Sequence, residues 1–449
     1  MSTTLELLGR DFGGDIIDSS SDQYPAASRT PLALGSPAMV LRPVTVADVR
    51  AAVRFAAASG LPLSVRGGGH AFAGFGTNDG GVVIDLGRLA GVEVIDEDRH
   101  LVRIGGGATW GQVADALAPH GLAISSGDTR SVGVGGLTLG GGMGWKVRKY
   151  GLALDSLVAA ELITADGELV RADADDHADL FWAIRGGGGN FGIVTAFEFA
   201  AHPTTDVHFG KITFPRDQAT QVLLGWADLI RDAAPELTAI ADLANPAAGG
   251  PEAPVQVHVA VDTDDPDLAA RTLEPLRRLA PVIDDDVTLR PYGDLLVEGQ
   301  VLPPGLQLIP RNAFVDRDSV PQALSILAEV GTSGRSPFIA LRSLGGAVSR
   351  VAGEATAYPY RQAELMITTI VAGPPPVIEA AGPGVAALWE RLDPYVYGAY
   401  ANFLGGTSAD DLAAVYPPAT LSRLAAIKRR YDPANLFARN HNISPAPVG

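Results

Sequence analysis

Cysteine is absent from the 449 residues. That excludes disulfides, thiolate metal sites and cysteine nucleophiles, and no other metal site is read from the chain. Positive charge is scarce: 34 Lys and Arg stand against 51 Asp and Glu, a formal net charge of −17. Such a balance argues against nucleic acid and against an anionic membrane as partners. No run of about 18 apolar residues occurs, so no membrane span is expected. The opening "MSTTLELLGRDFGGD" lacks both the basic stretch and the apolar stretch of a secretory signal. The expected location is therefore the cytoplasm. Aromatic residues make up only 6%, yet 47% of the chain is hydrophobic, enough for large cores. The length predicts two domains.

Glycine is what the chain has in excess: 53 residues, much of them clustered. The first 37 residues read as a helical lead and a loop. "MVLRP" reads as a strand. In "TVADVRAAVRFAAASG", Thr45 and Asp48 have capping-box spacing and Gly60 ends the helix. The strand "LPLSV" delivers the first cluster, "RGGGHAFAGFG". "GVVIDL" is another strand, "VEVID" and "LVRIGGG" form a pair, and "TWGQVADALAPHG" is a short helix. "SVGVGGLTLGGGMGW" is the second cluster. "LVAAELITADGELVRA" reads as a hairpin over Asp166 and Gly167. The helix "DDHADLFWAIR" leads into the third cluster, "RGGGGNFGIVTAFEF". From about Val207 glycine thins out. "APVQVHVAVD" alternates as a half-buried antiparallel strand does. "DPDLAARTLEPLRRLA" and "SVPQALSILAEVG" read as helices, "FIALRSLGG" and "AELMITTIVAG" as strands, and 245–254 as a turn-rich loop. A final helix and polar tail are expected to return to the first domain. The fold class is α+β, with domains at 1–205 plus 405–449 and at 206–404.

Gly187, Gly189 and Gly192 match the dinucleotide pattern G-x-G-x-x-G. The next residues, "IVTAFEF", are strand-like rather than helical, and no acidic ribose partner stands about twenty residues on. A nicotinamide site is set aside.

"SVRGGGHAFAGFGTNDGGVVIDL", "SVGVGGLTLGGGMGW", "RKYGLALDSLVAAELITADGELV", "DLFWAIRGGGGNFGIVTAFEF", "YANF" and "RRYDPANLFARNHNISP" stand in this order. Together they resemble the berberine-bridge-enzyme-like FAD oxidases of the vanillyl-alcohol oxidase / p-cresol methylhydroxylase superfamily, from about Val40 to Pro445. The resemblance implies a two-subdomain FAD-binding domain and an α+β substrate domain with an antiparallel sheet. It implies that Arg66, Gly67, Gly68 and Gly69 wrap the FAD pyrophosphate and that His70 is bonded to the 8α carbon of the flavin. Many members add a second link from a cysteine. Thr129 occupies that position and cannot form it, so attachment through His70 only is expected.

By the same match, Gly133, Gly135, Gly136, Gly140 and Gly142 contact pyrophosphate and ribityl through their backbone. Ile193 and Val194 recognise adenine through theirs. Asn402, Asn440 and Asn442 lie near the isoalloxazine ring. Tyr400 is the catalytic base, or else a positioning residue that only hydrogen-bonds substrate. An ordinary tyrosine titrates near 10, so the base reading needs a cation or relay to lower it. Tyr358 and Tyr360 are second candidates, one of them expected in packing. Met143, where other members often carry an aromatic or polar residue, cannot relay a proton. Val132 occupies the position that gates O2 in the family, where valine accompanies oxidases.

The expected activity is hydride removal from an alcohol, lactol or amine carbon of a small ring-containing molecule, with reoxidation by O2. Dehydrogenative C–C or C–O cyclisation is the alternative within the enzyme class. A flavin-carrying binding protein without turnover is the alternative outside it. The oligomeric state is not readable.

Overall fold

The computed structural model describes Leu8 and residues 12–244, 253–333 and 336–447. Most of the expected loop 245–254, and the start of the expected helical lead, lie outside the described residues.

Two small sheets come first. β1 (Asp15–Ile17), β2 (Met39–Arg42), β3 (Leu63–Arg66) and β4 (Val82–Asp85) pair in the order β1-β2-β4-β3. β2, β4 and β3 run parallel, with β1 antiparallel at the edge. β1 is a strand where a helical lead and loop were expected; three residues are too few to show a period. The helix Val46–Ser59 covers this sheet. Its N-terminus is the capping box read from sequence: the Asp48 amide donates to the Thr45 hydroxyl, and Gly60 ends it at φ +65°. A Ser/Thr cap is worth about 1 kcal/mol.

β5 (Val92–Asp96), β6 (Leu101–Gly105), β8 (Leu157–Ile163), β9 (Leu169–Asp173) and β10 (Ile193–Ala200) form an antiparallel sheet ordered β5-β6-β10-β8-β9. The two-residue strands β7 (Leu122–Ala123) and β11 (His202–Pro203) pair beside it. The expected hairpin is β8–β9, with Gly167 at φ +80°.

The third sheet has eight strands: β12 (Val207–Phe214), β13 (Leu237–Leu243), β14 (Val255–Val261), β15 (Asp284–Asp285), β16 (Thr288–Arg290), β17 (Gln307–Val315), β18 (Phe338–Ser343) and β19 (Leu365–Gly373). Their order is β15-β12-β14-β13-β18-β19-β17, with β16 also on β12. Alternation decides what each face meets. Val255, Val257, Val259 and Val261 join Ile339 and Leu341 in one core against the helices Ala219–Asp232 and Val320–Gly331. Asn312, Arg342 and Met366 point the other way, toward the glycine loops. Among the described residues no helix is long and apolar enough to cross a membrane.

The C-terminal helix Pro418–Tyr431 ends on a buried ion pair. The Lys428 ammonium donates to Asp432 (2.6 Å), to the Asn190 carbonyl (2.7 Å) and to the Phe437 carbonyl (3.0 Å). All three of its protons are used, which makes so complete a burial tolerable. Asp432 accepts the amides of Leu436 and Phe437. The pair thereby sets the path of the tail, which is bonded again where the Ile443 amide donates to Asn190.

His202 stacks on Tyr150 (centroids 3.9 Å apart) and meets the Ser156 hydroxyl at 3.0 Å. Burial, with the nearby Lys146 ammonium, pushes its pKa from the ordinary 6.5 down to about 4. The unfolded chain therefore binds this proton first as pH falls. The stability contributed is complete above about pH 6.5 and is lost as pH drops through the folded value near 4. After discounting for partial solvent contact, the loss is about 2 kcal/mol. His202→Gln is expected to flatten the slope of stability between these values. Denaturant titrations at a series of pH values check this, and parallel slopes in the two proteins would refute it.

Candidate active site

Two glycine loops cross back to back. One leaves β3 as Gly67–Gly68–Gly69–His70, and the other runs from Thr129 to Gly133 and into the helix Val134–Gly140. A Cβ on Gly68 would collide with the amide nitrogen of Gly133, and one on Gly133 with that of Gly68. Gly69 sits at φ +76°, which only glycine adopts freely. Behind this crossing, the Gly106 carbonyl lies 3.2 Å from where a Gly135 Cβ would stand and 3.6 Å from that of Gly67. Gly106 in turn abuts the Val194 carbonyl at a bulge of β10, beside Ile193. Gly136 differs from these. It is exposed, and among the described residues no atom beyond its own helix turn comes within 4 Å of its absent Cβ.

His70 is half-buried at the end of its loop. Its Nε2 is 2.9 Å from the Ser131 hydroxyl, and burial holds its pKa below the ordinary value. Thr129 donates its hydroxyl to Asp128 (3.0 Å), and the Asp128 carboxylate also pairs with Arg342 of β18 at 2.6 Å. Desolvation opposes ionisation of Asp128, but Arg342 and its hydrogen bonds leave it below the usual carboxylate range.

Tyr400 is buried in a turn after the eight-stranded sheet. Its amide donates to Asn312 Oδ1 (2.7 Å), while Asn312 Nδ2 donates to the carbonyls of Tyr400 (3.2 Å) and Phe403 (2.9 Å). Its hydroxyl oxygen accepts the Gly142 amide and Asn402 Nδ2, each at 2.9 Å. Burial raises its pKa; these two donors, and then Arg342, act against that without cancelling it. Asn402 also donates to the Leu137 carbonyl (3.0 Å) and fills the space a Gly140 Cβ would need. The ring of Tyr358 stands edge-on to that of Tyr400 at 6.4 Å, with Met143 in the same cluster. The Tyr358 hydroxyl is buried without a partner among the described residues. Tyr360 donates its hydroxyl to the Ala414 carbonyl.

The tail closes the site. Ala73 and Phe75, just past His70, line a cavity of about 480 Å³ with Asn440, His441 and Asn442. Asn440 Oδ1, Asn442 Oδ1 and His441 Nδ1 are buried acceptors without a partner among the described residues. His441 Nε2 faces the Ala401 carbonyl at 3.0 Å, so the ring nitrogen left free is the acceptor.

Most of the sequence-predicted site residues thus share contacts around the loops or line this cavity; Val132 is packed on the core with its carbonyl taking the Trp110 amide. Gly136 stands open, and Arg66 is engaged elsewhere. Its guanidinium is buried and donates to the carbonyls of Ala27 (2.8 Å) and Arg29 (3.1 Å) and to Asp85 (2.9 Å). The side chain thus anchors β3 from within the loop's base. Ser131, Arg342 and His441 were not singled out from sequence. Alternation in "FIALRS" puts Arg342 opposite Ile339 and Leu341, a signal that was there to use. The others have none, because their partners are distant in the chain.

The bare backbone, the open space at Gly136 and three unsatisfied acceptors fit a long anionic ligand that also carries N–H and O–H donors, as FAD does. Comparison with known proteins agrees. Residues 37–173 match an FAD binding domain, and 399–444 match the berberine and berberine-like model. The chain is 32% identical over 445 residues to (R)-6-hydroxynicotine oxidase of Paenarthrobacter nicotinovorans, covering 92% of each chain. Over 215 residues it is 38% identical to xylooligosaccharide oxidase of Thermothelomyces thermophilus, covering 46% of this chain and 42% of that one. The crystal structure of 6-hydroxy-D-nicotine oxidase from Arthrobacter nicotinovorans superposes with a TM-score of 0.84 at 28% identity, over 97% of this chain and 99% of that one. With crossed glycine loops, a tyrosine held against them and kinship along nearly its whole length, the chain belongs to the berberine-bridge-enzyme-like family of FAD-linked oxidoreductases.

Proposed function

We propose that this protein is an oxidase that removes hydride from an alcohol, lactol or amine carbon of a small ring-containing molecule and passes the electrons to O2. The names of two relatives, an oxidase of 6-hydroxynicotine and an oxidase of xylooligosaccharides, support a ring-bearing substrate. The observation that carries the reading is the Tyr400 hydroxyl. It is buried and takes two N–H donors, one from the glycine loop itself. Those donors stabilise a phenolate, the form able to accept a proton from a substrate hydroxyl or amine as hydride leaves.

FAD bound along the loops supplies the two-electron chemistry. In this reading Gly67–Gly69, Gly133, Gly135, Gly136, Gly140 and Gly142 offer backbone to pyrophosphate and ribityl. Ile193 and Val194 face adenine. Asn402, Asn440 and Asn442 lie beside the isoalloxazine ring, and His70 alone bonds it, Thr129 being no thiol. Residues 1–205 with 405–449 form the cofactor part, and 206–404 form the substrate part.

Val132 leaves the small apolar space that O2 needs, and one added methylene would fill it. Anaerobic addition of ring amines, ring alcohols and lactols tests the whole reading. One class is expected to bleach the flavin, and air to restore it quickly. Val132→Leu should bleach equally and recover more slowly. No bleaching by any class, with FAD bound, would remove the oxidase reading. Equal recovery in Val132→Leu would remove the gate.

A further inference from the structure

We propose that the Asp242–His258 pair on the large sheet is a specificity site, which binds a hydrogen-bond-donating group on a second ring of the substrate, remote from the carbon that is oxidised. The inference rests on the reading that Tyr400 marks the reacting end. It concerns how long the substrate is and what its far end carries.

His258 Nε2 lies 2.7 Å from Asp242 Oδ2, and the two side chains are 30% and 9% exposed. The pair spans β14 and β13, and alternation sets its face. Ala239, Ala241 and Leu243, with Val255, Val257 and Val259, belong to the helix-covered core. Asp242, Gln256 and His258 therefore stand on the opposite face, the one that carries Asn312 and Arg342. Every position from Leu237 to Leu243 is already paired with β14. A part-exposed polar pair adds little to so complete a ladder, and holding the two strands together does not account for it.

Register gives the separation from Tyr400. Asn312, which grips the Tyr400 main chain, is level with Thr368 of β19, Thr368 with Ala340 of β18, and Ala340 with Asp242. Three strand spacings make about 14 Å. A single ring at the Tyr400 hydroxyl does not reach so far, whereas two linked rings do. The floor between the two ends is low, since Ala340 carries only a methyl group.

The far end is built to accept. An ionised carboxylate only accepts, so the Asp242 contact puts the ring proton on Nε2. In the neutral imidazole Nδ1 then carries a lone pair. It makes no hydrogen bond among the described residues and stays open to solvent. Beside it the Gln256 amide, level with Asp242, is likewise without a partner among those residues. A hydroxyl or an amine N–H satisfies Nδ1, and the Asp242 carboxylate polarises the ring and strengthens either bond.

The test uses two probe pairs on the full-length, FAD-loaded protein without oxygen: D-glucose with cellobiose for a far hydroxyl, and piperidine with 4,4′-bipiperidine for a far amine. Affinity is read from the concentration dependence of flavin bleaching, or of the flavin band shift where a probe is not oxidised, so the measurement does not need turnover. In one pair the two-ring member should bind about tenfold more tightly than the one-ring member, and that pair identifies the far group. His258→Leu should erase the advantage by weakening the two-ring member alone. His258→Asn, whose amide oxygen takes the place of Nδ1, should keep part of it. No two-ring advantage in either pair, or an advantage that survives in His258→Leu, would overturn the proposal. A two-ring advantage that His258→Leu removes, with bleaching by no ring compound, would instead overturn the oxidase reading and leave the site standing.

Discussion

Tyr400→Phe is expected to slow anaerobic flavin reduction by about 10²–10⁴-fold, the usual worth of a positioned general base, with little change in substrate binding. The ring stays where Asn312 holds the main chain, and only the oxygen is lost. The pH dependence carries the diagnosis. Burial keeps the Tyr400 pKa above the ordinary 10.0. The phenolate share, and with it the reduction rate, should climb with pH throughout the neutral and mildly alkaline range without levelling. The phenylalanine variant should lose that climb. Stopped-flow reduction across pH measures both, and an equal rate in the variant would return Tyr400 to packing.

His70→Ala is the second large effect. Acid precipitation should then leave the pellet colourless and the supernatant yellow, whereas the wild-type pellet stays yellow. FAD should still bind to the native variant, because the crossed loops contribute backbone and the tail contributes acceptors. The flavin potential should fall, since an imidazole on the 8α carbon withdraws electrons, and reduction by substrate should slow with it. Redox titration and stopped-flow reduction check this. Unchanged potential and rate would contradict it, and flavin still attached to the variant would move the link to another residue.

Local signals were strong in the N-terminal half. Thr45 and Asp48 cap a helix within one turn of chain, and Gly167 closes a hairpin between alternating strands. The glycine clusters were legible because backbone crossing backbone leaves no room for a side chain. The larger sheet was harder to read. β17 contains Pro310, whose missing N–H argues against a strand, yet it pairs along its whole length with β19. The helix Pro375–Leu392 carries Pro383 between Gly382 and Gly384, a pattern that reads as loop, and is fixed by packing of Leu388, Trp389 and Leu392. At the site, the motif named the residues but not their bonds. The sequence placed Arg66 in the loop that wraps pyrophosphate, whereas the carbonyls of Ala27 and Arg29 that take its guanidinium are contacts only the fold creates.

Asn312 grips the main chain of Tyr400 from the large sheet, while Gly142 grips its hydroxyl from the glycine loops. Tyr400 therefore works as a rivet through both layers. A clamshell opening between sheet and loops would shear the phenol from one of its two holds. Sheet and loops are thereby tied at the one side chain that needs both.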